Sequence, residues 1–172
     1  MTCSVCDLIS YEKNTILSDE KSSVFLAKKP LSMAHSIIAP KKHYVILDQI
    51  PDDDIDHLFK IANIISVLLF RMLGSEGTNI IIENGIEAGQ TIPHFMINII
   101  PRKKDDGINF EFNRHKAGKE ELEGASILII EGLKKFNEKK VVLEENHPKE
   151  IATENNKNKE TNYLIEHLKR IP

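Results

Sequence analysis

Residues able to do chemistry are concentrated at two places in this chain. At its start, Cys3-Ser4-Val5-Cys6 puts two thiols three positions apart. In a reducing compartment such a pair is a metal half-site or a redox pair, and rarely a structural disulfide. A redox pair usually begins a helix that follows a strand, and no strand is predicted before Cys3, so the spacing favours half of a tetrahedral zinc site. Two more ligands must come from seven histidines, among which spacing alone does not choose: His35, His43, His57, His94, His115, His147 and His167.

The second place is a stretch of alternating residues from Ile92 to Ile100. This period of two predicts a strand, with its greasier face against a core. The other face carries a histidine, a methionine and an asparagine at steps of two, about 7 Å apart, which is a spacing suited to the floor of a pocket. These three residues are His94, Met96 and Asn98.

The stretch around this strand resembles the signature of the histidine triad (HIT) family. That signature is a Gly-Gln step, three histidines at alternating positions, two apolar residues and often Pro-Arg. Gly89-Gln90 and Ile99-Ile100-Pro101-Arg102 fix the register from both sides. In that register His94 takes the place of the first histidine, Met96 that of the second, which is the family's nucleophile, and Asn98 that of the third. The resemblance therefore implies the family's fold without its catalytic residue.

The substitution at Met96 bears directly on the chemistry. In the family, the middle histidine attacks the α-phosphate of a nucleotide and forms a covalent nucleotidyl-histidine. A thioether is a weak nucleophile with no proton to transfer, and the amide of Asn98 cannot replace an imidazole as a proton donor. Loss of the nucleophile from a covalent enzyme can cost on the order of 10⁶ in rate. We therefore expect the usual HIT hydrolase or transferase activity to be absent or vestigial.

The resemblance also implies the missing ligands of the Cys-x-x-Cys pair. Many prokaryotic HIT proteins begin with Cys-x-x-Cys and bind zinc with a histidine after Pro-Lys-x and with the first triad histidine. The matching residues here are His43, in Pro40-Lys41-Lys42-His43, and His94. The expected structural zinc site is thus Cys3, Cys6, His43 and His94. The alternative is two free thiols and two unrelated histidines.

Contacts to a nucleotide are also implied only by the resemblance. Residues that match the family's phosphate-facing positions, together with the floor of the pocket, form the expected nucleotide or anion site: Asn84, Gln90, Thr91, Met96 and Asn98. Asn84-Gly85 also suits a hairpin turn, and both roles are compatible. Ala27 stands where the family has an acidic residue that contacts the ribose. Ala34-His35 replaces a Gly-His pair, and we interpret His35 as a strand-edge histidine.

The remaining pattern predicts an α+β protein, and the resemblance implies the HIT-like fold. Its expected core is an antiparallel meander sheet with two main helices, followed by a C-terminal extension. One helix of about 20 residues is predicted to start at Pro51-Asp52-Asp53-Asp54, with an Asp as N-cap, to carry its apolar stripe over 54–73 and to end at Gly74. A second is predicted over 119–136, and its apolar face consists of Leu122, Ala125, Ile129, Leu133 and Phe136. Further strands are predicted over 23–27, 35–39, 78–83 and 108–113.

Length and composition limit the possible domain organisation, partners and location of the chain. The chain has 172 residues, which suits one domain with a tail. The resemblance covers residues 1–136, so we expect a HIT-like domain there and an extension over 137–172. The extension is expected to hold a short strand over 141–143, a polar linker, and an apolar helix over 160–171. A net charge of −3 gives no bulk attraction to nucleic acid. The lack of a membrane span or signal-peptide pattern leads us to expect a cytoplasmic protein.

Three functions are compatible with these observations. We rank first a HIT-fold protein that has lost catalysis, keeps zinc as a structural ion, and binds a nucleotide or a phosphate-like anion. Second is a scaffold protein that binds a partner through the C-terminal extension. Third is an active nucleotide phosphoramidate or dinucleoside polyphosphate hydrolase, or nucleotidyl transferase, with a shifted site in which a metal-free His94 attacks. A homodimer is expected from the resemblance.

Overall fold

A computed structural model describes residues 3–11, 15–112 and 114–144. The chain divides into two compact units, Met1–Glu111 and Phe112–Pro172. Among the described residues, the first unit holds a sheet and two α-helices, and the second holds one long helix. The expected boundary after residue 136 stays a prediction, and the helix expected over 160–171 lies outside the described residues.

The sheet is antiparallel and confirms the predicted α+β class. Among the described residues it has five strands: β1 (Thr15–Ser18), β2 (Ser22–Leu26), β3 (Ser36–Pro40), β4 (Gly77–Ile81) and β5 (Ile97–Arg102). Their order in the sheet is β1-β2-β3-β5-β4, and neighbouring strands pair antiparallel throughout. The pairing of β3 with β5 places Ile37 opposite Asn98, so this residue of the predicted pocket floor lies on an interior strand.

Three α-helices and two 3₁₀ turns complete the described structure. The α-helices are α1 (Ser4–Tyr11), α2 (Asp52–Leu73) and α3 (Lys119–Glu144), and the 3₁₀ turns are Leu47–Gln49 and Ile86–Ala88. Helix α2 begins after Pro51 and carries three aspartates in its first turn, where they favour the helix dipole rather than cap the helix. It ends as predicted at Gly74, whose φ of 60° is left-handed and whose N–H donates to the Leu69 carbonyl.

The core lies between α2 and one face of the sheet. Alternation along the strands sends Val24 and Ile38 to this face, where they meet Leu58, Ile61 and other buried residues of α2. Phe95, Ile97 and Ile99 complete the same cluster. The other face of the sheet packs against α1, where buried Val5 meets Phe25 and Ala39. Helix α1 therefore covers the face on which the predicted site lies.

Several predicted elements differ from the structure. The central strand starts at Ile97 instead of Ile92, because residues 91–96 form an irregular arm. Residues 108–112 form no strand, since the Ile108 N–H donates to Asp106 and its carbonyl accepts from Arg102 in a local turn. The strand expected over 141–143 is wrong, because helix α3 continues to Glu144.

No α-helix within the described ranges is long and apolar enough to cross a membrane.

Candidate metal centre and the neighbouring strand face

The four predicted metal ligands meet in space from three separate segments. Cys3 precedes α1, Cys6 lies in its first turn, His43 follows β3, and His94 lies on the arm before β5. Their ligand atoms all lie within 4.8 Å of one another. Packing of Val5, Leu8 and Ile9 onto the sheet holds α1, which alone would be too short to be stable, and so holds both thiols in place.

The distances between these atoms fit a tetrahedral zinc ion. His94 Nδ1 lies 3.6 Å from Cys3 Sγ and 3.5 Å from Cys6 Sγ, and His43 Nδ1 lies 3.3 Å from Cys6 Sγ. Zinc bonds of about 2.3 Å to sulfur and 2.0 Å to nitrogen, at tetrahedral angles, separate the two donors by about 3.5 Å. Two thiolates and two imidazoles are also a donor set that zinc prefers. The residues present therefore fit this ion.

The orientation of His94 is fixed by a second hydrogen bond. Its side chain is fully buried, and its Nε2–H donates to the Pro40 carbonyl at 2.9 Å. That bond leaves the Nδ1 lone pair directed at the two sulfurs, as in metal-ligating histidines generally. Burial lowers the pKa of His94 below its ordinary value despite this bond, which favours the neutral form that a metal requires.

The thiols show what a cation would contribute. Burial first, and then the neighbouring Cys3 thiol, raise the pKa of Cys6 above its ordinary value. Two thiolates side by side are unfavourable without a cation between them. A divalent ion stabilises both thiolates and displaces their protons, so metal binding and folding of this corner are coupled.

Met96 occupies a packed position on the face of the sheet that α1 covers. Its half-buried side chain packs against the buried cluster of Val5, Phe25 and Ala39, as Ile37 and Ile92 also do. The side chain at the family's nucleophile position therefore contributes apolar contacts.

Asn98 forms a hydrogen bond with His35, the residue that the sequence led us to interpret as a strand-edge histidine. His35 is only 7% exposed and lies just before β3, so it is an interior residue and not an exposed strand-edge one. Its Nδ1 accepts from the Leu31 N–H at 3.3 Å, so its Nε2 carries the proton that it donates to Asn98 Oδ1 at 3.1 Å. Burial lowers the pKa of His35, which favours this neutral form. The Ala34-His35 match to the family's Gly-His pair was the available signal.

The predicted phosphate-facing amides shape the loop before β5. Gln90 Oε1 accepts from the Gly85 N–H at 2.8 Å, and its Nε2 donates to the Val45 and Ile92 carbonyls at 2.8 and 3.0 Å. Asn84 Oδ1 accepts from the Leu47 N–H at 2.8 Å. Thr91 is exposed beside them. Anion binding at this loop stays a prediction.

Comparisons with known proteins agree with the geometry. The model of the HIT domain matches residues 10–105. An uncharacterised HIT-like protein of Methanocaldococcus jannaschii is 35% identical over 66% of this chain and 89% of its own length. An adenylylsulfatase of Arabidopsis thaliana is 35% identical over 60% of this chain and 54% of its own length.

A solved structure of a zinc-bound protein is also similar to this chain. The zinc-bound histidine triad family protein of Mycobacterium smegmatis is 26% identical, with a TM-score of 0.60 over 67% of this chain and 85% of that one. The HIT-domain match spans more than half of the present chain, and the antiparallel sheet with its covering helices is the fold that the match implies. The chain belongs to the histidine triad family.

Proposed function

We propose that this chain is a zinc-stabilised HIT protein that has lost covalent nucleotidyl transfer and binds a nucleotide or another phosphate-like anion. The observation that carries this proposal is the environment of Met96, at the position of the family's nucleophile. Its side chain packs against the buried cluster formed by Val5 of α1 with Phe25 and Ala39. With no proton to transfer and little nucleophilicity, it supports the sheet instead of attacking a phosphate.

An active enzyme with a shifted site is the competing proposal, and the position of His94 argues against it. A nucleophilic His94 needs a free lone pair and access to substrate. Its Nε2 is engaged by Pro40, its Nδ1 faces two sulfurs, and the ring is fully buried. Both nitrogens thus have roles that exclude attack on a bound nucleotide.

We expect the ligand to be bound through an anionic group, because binding of the ribose hydroxyls of a nucleotide is weakened in this chain. The loop at Gly89 turns with a φ of 94°, and exposed Thr91 follows Gln90 at the rim of the same face. The N–H groups of Gly89 and Gln90 donate within the loop, to the Ile86 and Gly85 carbonyls. The Thr91 hydroxyl is therefore the donor that we propose for a phosphate oxygen. Ala27 offers no carboxylate for ribose hydroxyls. The Arabidopsis thaliana relative is an adenylylsulfatase, and nucleotide binding in the family supports a phosphate-bearing ligand here.

A homodimer and a reducing compartment belong to the same proposal. Helix α2 leaves a second apolar face exposed beside its core face, with Ile64 52%, Leu68 46% and Met72 76% exposed. The edge strand β4 exposes 47% of Ile80. A patch of this kind is typical of an interface. Thiolate ligands persist where cysteines stay reduced, which supports the cytoplasm as the location.

Turnover of model substrates tests the loss of activity. Zinc-loaded protein is incubated with adenosine phosphoramidate and with a dinucleoside polyphosphate, and nucleoside monophosphate is measured beside a protein-free blank. We expect release no faster than in the blank, because the missing nucleophile costs on the order of 10⁶ in rate. Turnover that copurifies with the chain and follows its concentration would contradict the proposal.

A thermal-shift panel tests the ligand class separately. We expect inorganic phosphate and adenosine monophosphate to raise the melting temperature, and adenosine to raise it less. Thr91→Val keeps the size of the side chain but removes the hydroxyl, and it should reduce the shift for both anions. An equal shift with adenosine, or an unchanged shift in Thr91→Val, would speak for a different site.

A further inference from the structure

Helix α3 carries an apolar stripe that is symmetric about Ile129. Steps of three and four residues keep side chains on one face of a helix. The steps away from Ile129 are the same in both directions, four residues and then three. Two copies of this face running antiparallel therefore offer each other matching layers. The stripe consists of Leu122, Ala125, Ile129, Leu133 and Phe136.

The middle of the helix is apolar on every side. Within its own unit, α3 exposes Leu122 by 60%, Ile129 by 64% and Leu133 by 55%. Residues 127–130 are four consecutive aliphatic residues, each at least 49% exposed, and they point in directions about 100° apart. Helices that are apolar all round are normally covered by other protein. Exposed apolar surface of this extent indicates a docking face.

Charges beside the stripe favour one particular occupant. Glu121 lies eight residues before Ile129, and Lys135 lies six residues after it. At about 100° per residue, both lie on the same side of the stripe. An antiparallel partner centred on Ile129 brings Lys135 within about 3 Å of the height of Glu121, twice by symmetry. A parallel partner brings like-charged ends together.

We propose that α3 is a self-association helix that pairs antiparallel with α3 of a second copy of this chain. Ile129 meets its own equivalent at the two-fold axis, and Leu122 meets Phe136 at each end. The pairing is isologous, so each α3 takes one partner helix at this face. Glu121 accepts a 3.3 Å hydrogen bond from the Gly118 N–H, and its other oxygen can face Lys135 of the second copy. The surface is separate from the proposed α2 interface.

Disulfide trapping in the full zinc-loaded chain tests the register. Three single variants, Ile129→Cys, Leu122→Cys and Phe136→Cys, are oxidised mildly with oxidised glutathione, and linked chains are counted on non-reducing gels. Wild-type protein gives the background from Cys3 and Cys6. We expect Ile129→Cys to link to itself. Leu122→Cys and Phe136→Cys should link only when the two variants are mixed. A helix-face control, Glu131→Cys, should stay at background.

Charge reversal tests the orientation with the same readout. In the Ile129→Cys background, Glu121→Lys and Lys135→Glu should each lower the linking rate roughly fivefold at low salt, and the double reversal should restore it. Linking of Leu122→Cys to itself would establish a parallel pair and overturn the proposal. Linking of Ile129→Cys at the wild-type background, with helicity unchanged, would overturn it as well, and so would a double reversal no better than the single ones.

Discussion

Single residues decide what this HIT chain can do. His94 is oriented by the Pro40 carbonyl so that its free nitrogen faces Cys3 and Cys6, and Met96, two residues later, packs under α1. In the register predicted from the signature, the first triad position faces the candidate metal ligands and the second packs against the core under α1. Asn98, at the third position, holds His35 by a hydrogen bond in which the imidazole is the donor. None of the three positions is arranged to attack a phosphate.

Removal of a metal ligand should release zinc and lower the stability of the domain. His94→Ala and Cys3→Ala should reduce bound zinc from near one ion per chain to near none, because each variant removes one of the four ligands that close a structural site. The melting temperature should fall substantially, since structural zinc can supply roughly 10 kcal/mol to a small fold. Metal analysis and thermal denaturation check both. His115→Ala, at an exposed histidine, is the control, and equal zinc loss there would contradict the assignment.

Acid stability should depend on Asp106. The Arg102 guanidinium, and then the Ile108 N–H, hold the pKa of this carboxyl far below its ordinary value. A lowered pKa in the folded state stabilises the fold above the unfolded pKa of about 3.9 and loses that contribution as the pH falls further. Asp106→Asn should therefore lower the melting temperature at pH 7.

The difference between Asp106→Asn and wild type should narrow as the pH falls below about 4. Melting curves at a series of pH values measure it, and comparison of the two proteins cancels the common effect of acid on zinc. Asp105→Asn, at the exposed neighbouring aspartate, should match wild type throughout. A difference that does not change with pH would show that the carboxylate charge is not what stabilises this turn.

At the scale of elements, α1 links the metal centre to the face of the sheet. Val5 is 1% exposed and packs against Phe25 and Ala39 on the side opposite α2. The same eight-residue helix carries Cys6 and follows Cys3. Ligation of a metal by these cysteines and apolar packing of Val5 would therefore support each other, because both hold α1 in place.

Truncation of Val5 should weaken both functions of α1. Val5→Ala leaves a cavity under the helix and should lower the free energy of unfolding by about 2 kcal/mol. It should also speed the transfer of zinc to a chelator, because the thiols are held less firmly. Chemical denaturation and a colorimetric chelator assay measure the two effects. Tyr11→Ala, at an 80% exposed residue of the same helix, is the control. Equal rates of zinc transfer in both variants would show that the packing of Val5 does not help to hold the metal ligands.

The elements also show how far the sequence could predict the structure. Helical spacing identified α2 and its end at Gly74, and the matched signature identified the four metal ligands that the fold brings together. Helix α1 escaped prediction because its three apolar residues matter only once the sheet lies beneath them.

Contacts that depend on strand register were also beyond the sequence. The His35–Asn98 pair exists because β3 and β5 are neighbours, and chain order alone does not state that β4 lies at the edge. Ala34 has a φ of 66°, a left-handed conformation that a glycine adopts more readily. The family's Gly-His pair marks that turn, and this chain keeps the turn without the glycine.

At the scale of the whole molecule, the chain combines an inherited fold with altered chemistry. The sheet, its two covering helices and the metal centre lie within Met1–Glu111, whereas α3 belongs to the second unit. A fold of this kind can serve ligand binding or assembly without catalysis, because function belongs to the site and not to the fold. A metal bound by Cys3, Cys6, His43 and His94 would hold α1 over Met96, and it would thereby both stabilise the domain and keep this face of the sheet covered.

The most direct test of the account is the intact mass of zinc-loaded protein mixed with excess adenosine phosphoramidate and quenched at times from milliseconds to minutes. A histidine nucleophile would carry an adenylyl group at some time point, because the family's reaction passes through a covalent nucleotidyl-histidine. We expect the mass of the protein to be unchanged at every time. An adenylyl adduct on His94, His35 or another histidine would contradict it.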